Sequence, residues 1–319
     1  MSGTWKAAYT AEEIESVNCP LCQATTSVQL GQEWSLGIVQ CTECSLVYVT
    51  PRLPEPEKNY WGEKAKALRK YGPIFAGLRP HDRDRGYEDH LARLRALKPT
   101  GRLLDIGTHC GFFLRRARHQ GWELYGIEPS PTNAALAREH FGLNVQEGYF
   151  KEGVFPPEYF DVVTLIDVLE HVTTPVSLLQ TIRKVLKPGG ILFVKVPNVH
   201  WNLLKYRILR HSPWQSRFDI FDCREHVVHY SQATLTHLLE HVGLAVQSFH
   251  VPRPIQTGAW WQKVGRAGAW SLARVAFFCT GKLGPLAPDV ACIAEKPGKL
   301  VGGAAARRLP MQPNGYTVE

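Results

Sequence analysis

The sequence predicts an α/β protein: a doubly wound, mostly parallel sheet with a small cysteine-built module ahead of it. Three observations carry the prediction. Arg102 to Glu128 reads RLLDIGTHCGFFLRRARHQGWELYGIE. It has an apolar run at Leu103, Leu104 and Ile106, a turn holding Gly107 and Gly111, and Phe113, Leu114 and Ala117 at helical spacing. A second apolar run then stops at Glu128. Strand, glycine turn, helix, strand and acid is the opening unit of a nucleotide-binding α/β domain. Further on, Phe160 to Asp167 is almost continuously apolar, as a strand buried on both faces requires. Near the start, Cys19, Cys22, Cys41 and Cys44 form a C-x2-C-x18-C-x2-C pattern.

The chain has 319 residues, enough for one large domain with appendages, and a formal net charge of +8. The basic residues are scattered. An anionic small molecule, a membrane surface and weak nucleic-acid binding are all compatible with that charge. No apolar run approaches the roughly eighteen residues that would span a bilayer. The first sixteen residues lack the apolar core of a signal peptide, so a cytoplasmic protein is expected.

Each Cys pair can turn two thiolates to one point, and the two pairs together suit a tetrahedral zinc ion. Disulfides are the competing reading, and the lack of a signal peptide weighs against them. Four thiolates leave no open coordination position, so such a metal would be structural. Ser27 to Leu30 and Gly37 to Gln40 suit short ribbon strands. Zinc ribbons also bind nucleic acid, but a dense basic-aromatic cluster is missing here, and no specific nucleic-acid partner is expected. Of the other cysteines, Cys110 sits in the glycine turn, where it suits a small buried residue better than a reactive thiol. The expected organisation is a ribbon and linker over 1–56, a helical lid over 57–100, an α/β domain over 101–298 and a disordered tail over 299–319.

Within the lid, Gly72-Pro73 and Arg79-Pro80 are expected to interrupt regular structure. Tyr87, Leu91, Leu94 and Leu97 mark one helical face. Helices are expected from Ser130 to His140, Pro175 to Leu186 and Ser231 to His241. Strands are expected at Leu143 to Gln146, Ile191 to Val196, Leu244 to Val251 and Val290 to Glu295, with Lys187 to Gly190 as a break.

The glycine turn does not suit a dinucleotide. His109 and Phe112 occupy the second and third positions of G-x-G-x-x-G, and Phe112 would crowd a pyrophosphate. D-I-G-T-H-C-G instead resembles motif I of the class I S-adenosylmethionine-dependent methyltransferases, usually D-x-G-x-G-x-G, from which it departs at His109. Phe160 to Val172, FDVVTLIDVLEHV, resembles their motif IV, and LKPGGILFVKVPN is similarly typical of the family.

The resemblance covers roughly Leu103 to Glu295. It implies a seven-stranded sheet with the last strand antiparallel, and S-adenosylmethionine as cofactor. It implies that Asp105, Gly107, Gly111, Glu128 and Asp167 hold that cofactor, with Gln146, Glu147 and Gly148 meeting its adenine. Glu128 would accept from two ribose hydroxyls, and Asp167 would attract the ammonium or sulfonium charge. Tyr60, Tyr71 and Tyr87 are candidate ligand contacts from the lid. Glu170 and His171 suit either a helix cap or chemistry.

The family binds its acceptor near an insertion after the fifth strand, here residues 199–230. FDIFDCREHVVHYS resembles the E-H-x-x-x-x-S segment of sugar C-methyltransferases, where the Glu-His pair assists deprotonation of the acceptor. It implies His226 as general base, oriented or made more basic by Glu225, and a sugar or sugar nucleotide as acceptor. A ribbon ahead of motif I is similar to a module found in such enzymes. Lys205, Arg217 and Arg224 are candidates for holding an acceptor phosphate. Residues 258–282 are aromatic, apolar and basic, suited to a subdomain helix, a dimer face or a membrane interface that would serve a lipid-linked acceptor. The competing reading is a non-catalytic binding protein whose methyltransferase-like domain has lost turnover, with His109 as its best support.

Overall fold

In the computed structural model, residues 9–56, 64–209, 219–255 and 257–298 are described, with Trp261 and Gln262 as helical backbone alone. Tyr60, Arg217 and the tail over 299–319 lie outside the described residues. The elements run β1 (Ser27–Glu33), β2 (Leu36–Cys41), β3 (Val47–Val49), α1 (Lys64–Phe75) and α2 (Asp84–Leu97). The β/α alternation then follows: β4 (Gly101–Ile106), α3 (Phe112–Ala117), β5 (Trp122–Glu128), α4 (Pro131–Phe141), β6 (Val145–Glu147) and β7 (Phe160–Ile166). After a 3-10 turn at Leu169–His171 come α5 (Pro175–Val185), β8 (Leu186–Pro197) and α6 (Val199–Leu209). The chain closes with β9 (Val228–His229), α7 (Gln232–His241), β10 (Ala245–His250), α8 (Trp260–Thr280) and β11 (Asp289–Glu295).

Seven strands form one sheet in the order β10-β11-β8-β7-β4-β5-β6. Strands β4 to β8 pair in parallel, and β11 runs antiparallel to both β8 and β10. The inner strands are buried along nearly their whole length: Leu103, Leu104, Val162, Val163, Leu192 and Phe193 are fully inaccessible. That is why they read as unbroken apolar runs rather than alternating ones. Because β4 has β5 on one side and β7 on the other, the chain's winding reverses at β4. A crevice therefore opens at the carboxyl ends of β4 and β7.

Two expectations are corrected. Gly72-Pro73 does not interrupt the lid; α1 runs through it, with Pro73 inside its last turns. A proline this near a helix end forfeits one backbone bond, and Ile74, 1% exposed, anchors that turn in the core shared with Leu91 and Phe112. The helix before Lys187 to Gly190 does end, at Val185, but the strand expected from Ile191 already starts at Leu186, so β8 includes the residues expected as a break.

The cysteine module is not closed on itself. Its strands β1, β2 and β3 form an antiparallel sheet whose fourth strand, β9, comes from the far end of the chain's insertion after β8. Val47 pairs with His229 and Tyr48 with Val228, while Asn198 bridges Tyr230 at the end of β8. Cys19, Cys41 and Tyr48 lie in one apolar cluster with Leu165, Tyr230 and Leu235 of the larger sheet and its helices. Module and α/β domain thus share a core, and the two are expected to unfold together. Tyr48→Ala, which empties the seam, should cost about 3 kcal/mol and lower a single calorimetric transition; two separate transitions in the wild type would refute the shared core.

Candidate active site

A cavity of about 830 Å³ occupies the crevice. Its floor is the β4–α3 turn, its sides are the ends of β5 and β7, and α1 and α2 cover it with Tyr71 and Tyr87. Among the residues expected to hold a cofactor, Asp105, Gly107, Glu128 and Asp167 all line it, as does Gly148.

The turn is shaped by what cannot stand in it. Gly107 has φ +71°, and a Cβ there would come within 2.6 Å of Val168 Cγ2. His109 stands where the family motif has its middle glycine, and its backbone is left-handed, φ +52°. Histidine enters this region more readily than most side chains. Its ring meets Tyr71 edge-on at 5.5 Å between centroids, so it joins the lid's aromatic contacts. Phe112 stacks on His81 at 4.2 Å and on Phe75 at 5.7 Å. Both rings pack against the lid, and the hollow stays open.

Glu128 is 6% exposed at the end of β5. One oxygen accepts from the His109 N–H at 2.8 Å, the other from the Ser130 N–H at 3.0 Å. Burial raises its pKa and these backbone donors oppose the rise. Each oxygen keeps a second lone pair, so the carboxylate is aimed before any ligand arrives. Asp105 is 3% exposed and accepts from Thr164 Oγ1 at 2.6 Å. Burial pushes it up to about 7.

Asp167 departs from expectation. It stands at the carboxyl end beside β4 with φ +55°, but its charge is already answered. Lys195 Nζ of β8 lies 2.6 Å from Oδ1, and Arg83 of the lid binds Oδ2. Lys195 also reaches Asp289 at 3.1 Å. Burial would raise the Asp167 pKa, but the two cations hold it well below the usual carboxylate range. An ammonium or sulfonium therefore meets a neutralised acid here, not a free one. Neither Arg83 nor Lys195 was legible as a site residue. Lys195 sits in a strand that reads as apolar, and Arg83 in a segment without periodicity.

Other expected site residues fall elsewhere. Gln146 is exposed on the edge strand β6 and does not line the cavity; the wall there is Gly148, Tyr149 and Phe150. Gly111 is also outside the wall. Its φ is +79°, and a Cβ would meet Leu143 Cδ1 at 2.4 Å and Ala137 Cβ at 3.1 Å, so it permits α3 to pack on α4. Cys110 is fully buried, with Sγ 3.5 Å from Asn133 Oδ1. Arg224 pairs with Asp219 and lies over Trp34. Lys205 lies over Trp201. Neither reaches the cavity.

Glu225 and His226 lie in the turn before β9, not on it, and neither lines the cavity. His171 of the 3-10 turn lines the cavity, as do His81 and His109, and His226 stands behind His171 at 4.6 Å between ring centroids. Glu225 meets His171 through its backbone carbonyl, 2.9 Å from Nδ1. Its carboxyl does not raise His226; burial, then His171 and His229, push that pKa well below the ordinary value. Glu170, His171 and His226 each bring one ligand atom within 4.8 Å of the others. Glu170 is 2% exposed, and neither of its carboxylate oxygens has a hydrogen-bond partner.

The four N-terminal cysteines also converge: their sulfurs all lie within 4.8 Å. Cys19 and Cys44 are 3.5 Å apart, as are Cys22 and Cys41. Tetrahedral Zn–S bonds would separate sulfurs by about 3.8 Å, and two of these distances fall just under that. The cluster fits a small zinc-binding module.

Sheet order, antiparallel last strand and a crevice floored by a glycine turn define a Rossmann-like methyltransferase fold. A family model described as a methyltransferase domain matches residues 80–248, more than half of the chain. The chain belongs to that family. The ubiquinone biosynthesis O-methyltransferase of Bradyrhizobium sp. (strain ORS 278) is 30% identical over 154 residues, 45% of this chain and 59% of that protein. The protein of the same name from Rhodopseudomonas palustris (strain HaA2) is 34% identical over 142 residues, 43% of this chain and 56% of that protein. The chain thus spans about half the length of the curated relatives it matches. Among solved structures, a chain of the complex between the Haloferax volcanii Trm112 methyltransferase activator and a methyltransferase superposes with a TM-score of 0.52 at 16% identity. The match covers 75% of this chain and all of that one, and it speaks for the fold.

The Asp105 carboxyl has a folded pKa of about 7, above the roughly 4 of an unfolded aspartate. Below both values folded and unfolded states are equally protonated; between about 4 and 7 the unfolded state gives up its proton while the folded state keeps it, so stability falls with pH and levels off above 7. Asp105→Asn should therefore raise the apo protein's Tm at about pH 8, by a margin that shrinks towards about pH 5. A margin constant with pH would refute this.

Proposed function

We propose that the protein is an S-adenosylmethionine-dependent methyltransferase that O-methylates a small, partly apolar acceptor. The observation that carries the reading is the pre-aimed Glu128 carboxylate at the mouth of an open crevice, beside a glycine turn with no room for a side chain. The cofactor supplies a sulfonium methyl, already electrophilic. The residues have three tasks: to grip, to exclude water and to hold a proton. Glu128 suits two ribose hydroxyls, and Gly107 allows close approach to the turn. Gly148 to Phe150 would flank the base. Tyr71, His81 and Tyr87 close the lid against water.

His171 is the base this reading favours, in place of His226. With the proton on Nδ1, facing the Glu225 carbonyl, Nε2 has the lone pair that would take the acceptor's hydroxyl proton. His226 then positions His171 from behind. A sugar acceptor has no support beyond the Glu225-His226 segment, which stands behind the wall. The relatives' printed activity, O-methylation in ubiquinone biosynthesis, together with Ile255, Phe150 and Leu178 in the wall, supports an aromatic or otherwise apolar hydroxyl compound instead. We further propose that Cys19, Cys22, Cys41 and Cys44 hold a structural zinc ion. The non-catalytic reading loses its main support, because His109 accommodates a left-handed backbone and leaves the cavity open.

Titration calorimetry with S-adenosylmethionine should show binding that Glu128→Ala weakens roughly tenfold to a hundredfold. Absence of binding by folded, metal-replete protein would end the enzyme reading. Elemental analysis should find about one zinc per chain, lost on substituting any of the four cysteines by serine.

A second reading is favoured by Glu170, whose buried carboxylate lacks partners. With His171 and His226 it forms a set suited to a divalent cation, which would polarise the acceptor hydroxyl instead of leaving its proton to an imidazole. Mn2+ binding followed by paramagnetic resonance, weakened roughly tenfold in Glu170→Gln, would support this. No Mn2+ signal would leave the proton-transfer reading in place.

A further inference from the structure

Helix α8 is 21 residues long, and among its described side chains only Ala273 is buried. It seats one face on the body: Trp270 and Phe277 pack with Ala273 against the main core, and Trp270 Nε1 donates to the Val251 carbonyl at 3.3 Å. The opposite face carries Trp260, Val264, Leu272, Val275 and Phe278 at helical spacing. They are 76%, 62%, 62%, 62% and 91% exposed. Isolated exposed apolar residues need no explanation, but five aligned along about 30 Å of one helix mark an interaction face.

The charge around that face names its occupant. Between residues 258 and 282 there are four cations, Lys263, Arg266, Arg274 and Lys282, and no Asp or Glu. Lys263, Arg274 and Lys282 are exposed. No described helix is long and apolar enough to cross a membrane. A bulky apolar stripe edged only by cations suits the boundary between headgroups and acyl chains, with tryptophan at the headgroup level. A second copy of this chain would bring the same cations face to face.

The position of the helix adds a purpose. Ile255 and Thr257, in the segment that leads into α8, line the active-site cavity. We propose that α8 docks the protein on an anionic lipid surface, lying in the interface with Trp260, Val264, Leu272, Val275 and Phe278 immersed. The cavity then stands beside the bilayer, within reach of an amphiphilic acceptor held there. That last link rests on the methyltransferase reading; the docking does not.

Co-sedimentation with vesicles tests the docking without turnover. Full-length protein should bind vesicles of phosphatidylcholine mixed with phosphatidylglycerol at least tenfold more tightly than phosphatidylcholine alone, and added salt should weaken binding. V275E/F278E should lose at least tenfold in affinity while keeping the wild-type Tm and S-adenosylmethionine affinity. K263E/K282E should lose the preference for phosphatidylglycerol. Equal binding to both vesicle types, or none, overturns the proposal. So does a V275E/F278E protein that binds vesicles unchanged but turns a dimer into a monomer in ultracentrifugation, which would assign the face to a second copy. If vesicle binding succeeds and cofactor binding fails, the docking stands and the enzyme reading falls.

Discussion

Three carboxylates at the carboxyl ends of β4, β5 and β7, two of them buried and the third, Asp167, partly so, set the terms on which this crevice can exist. A buried charge must be paired, hydrogen-bonded or neutralised, and each acid meets the demand differently. Glu128 accepts from two backbone N–H groups. Asp105 has the Thr164 hydroxyl and a proton affinity raised by burial. Asp167 takes Lys195 from the sheet and Arg83 from the lid. Because one of its two cations belongs to the lid, charge compensation in the sheet and closure over the cavity are one arrangement. The Arg83 contact also sets how a cationic ligand is received. The ligand competes with a guanidinium for Asp167, or it relies on other polar groups in the wall.

The cysteine cluster serves the same site from the opposite side. Its ribbon is completed by β9, and the Val227 N–H that precedes β9 donates to the Glu170 carbonyl at 2.9 Å. Glu170 and His171 are thereby held between the ribbon and the end of β7. A metal in the ribbon would act on the site only through this packing, because four thiolates leave it no open position for a ligand. The ribbon is thus better understood as a buttress of the catalytic wall than as an appendage.

Much of this was legible in the chain itself. The run Phe160–Ile166 could only be a strand covered on both faces, and D-I-G-T-H-C-G with Glu128 about twenty residues on located the floor and one side of the cavity. The two cysteine pairs announced their convergence through spacing alone. What failed was the assignment of neighbours. The Glu225-His226 segment points to His226 as base, yet the fold places His171 in front. The resemblance points to Gln146 through the loop after β6, but Gln146 lies on the exposed edge and the cavity meets Gly148 instead. Gly111 was grouped with the ligand-facing glycine although its missing Cβ makes room for Leu143 and Ala137.

The sequence by itself determined the class of the sheet, the place of the crevice and the four-sulfur cluster. These depend on periodicity and short-range spacing, which a linear chain records directly. Only the tertiary structure decided that Arg83 and Lys195 neutralise Asp167, that His171 stands before His226, that β9 completes the cysteine ribbon, and that one face of α8 carries exposed apolar side chains among the described residues. Each is a meeting of residues far apart in the chain, or the lack of one, set by strand order and helix docking; no local pattern encodes it.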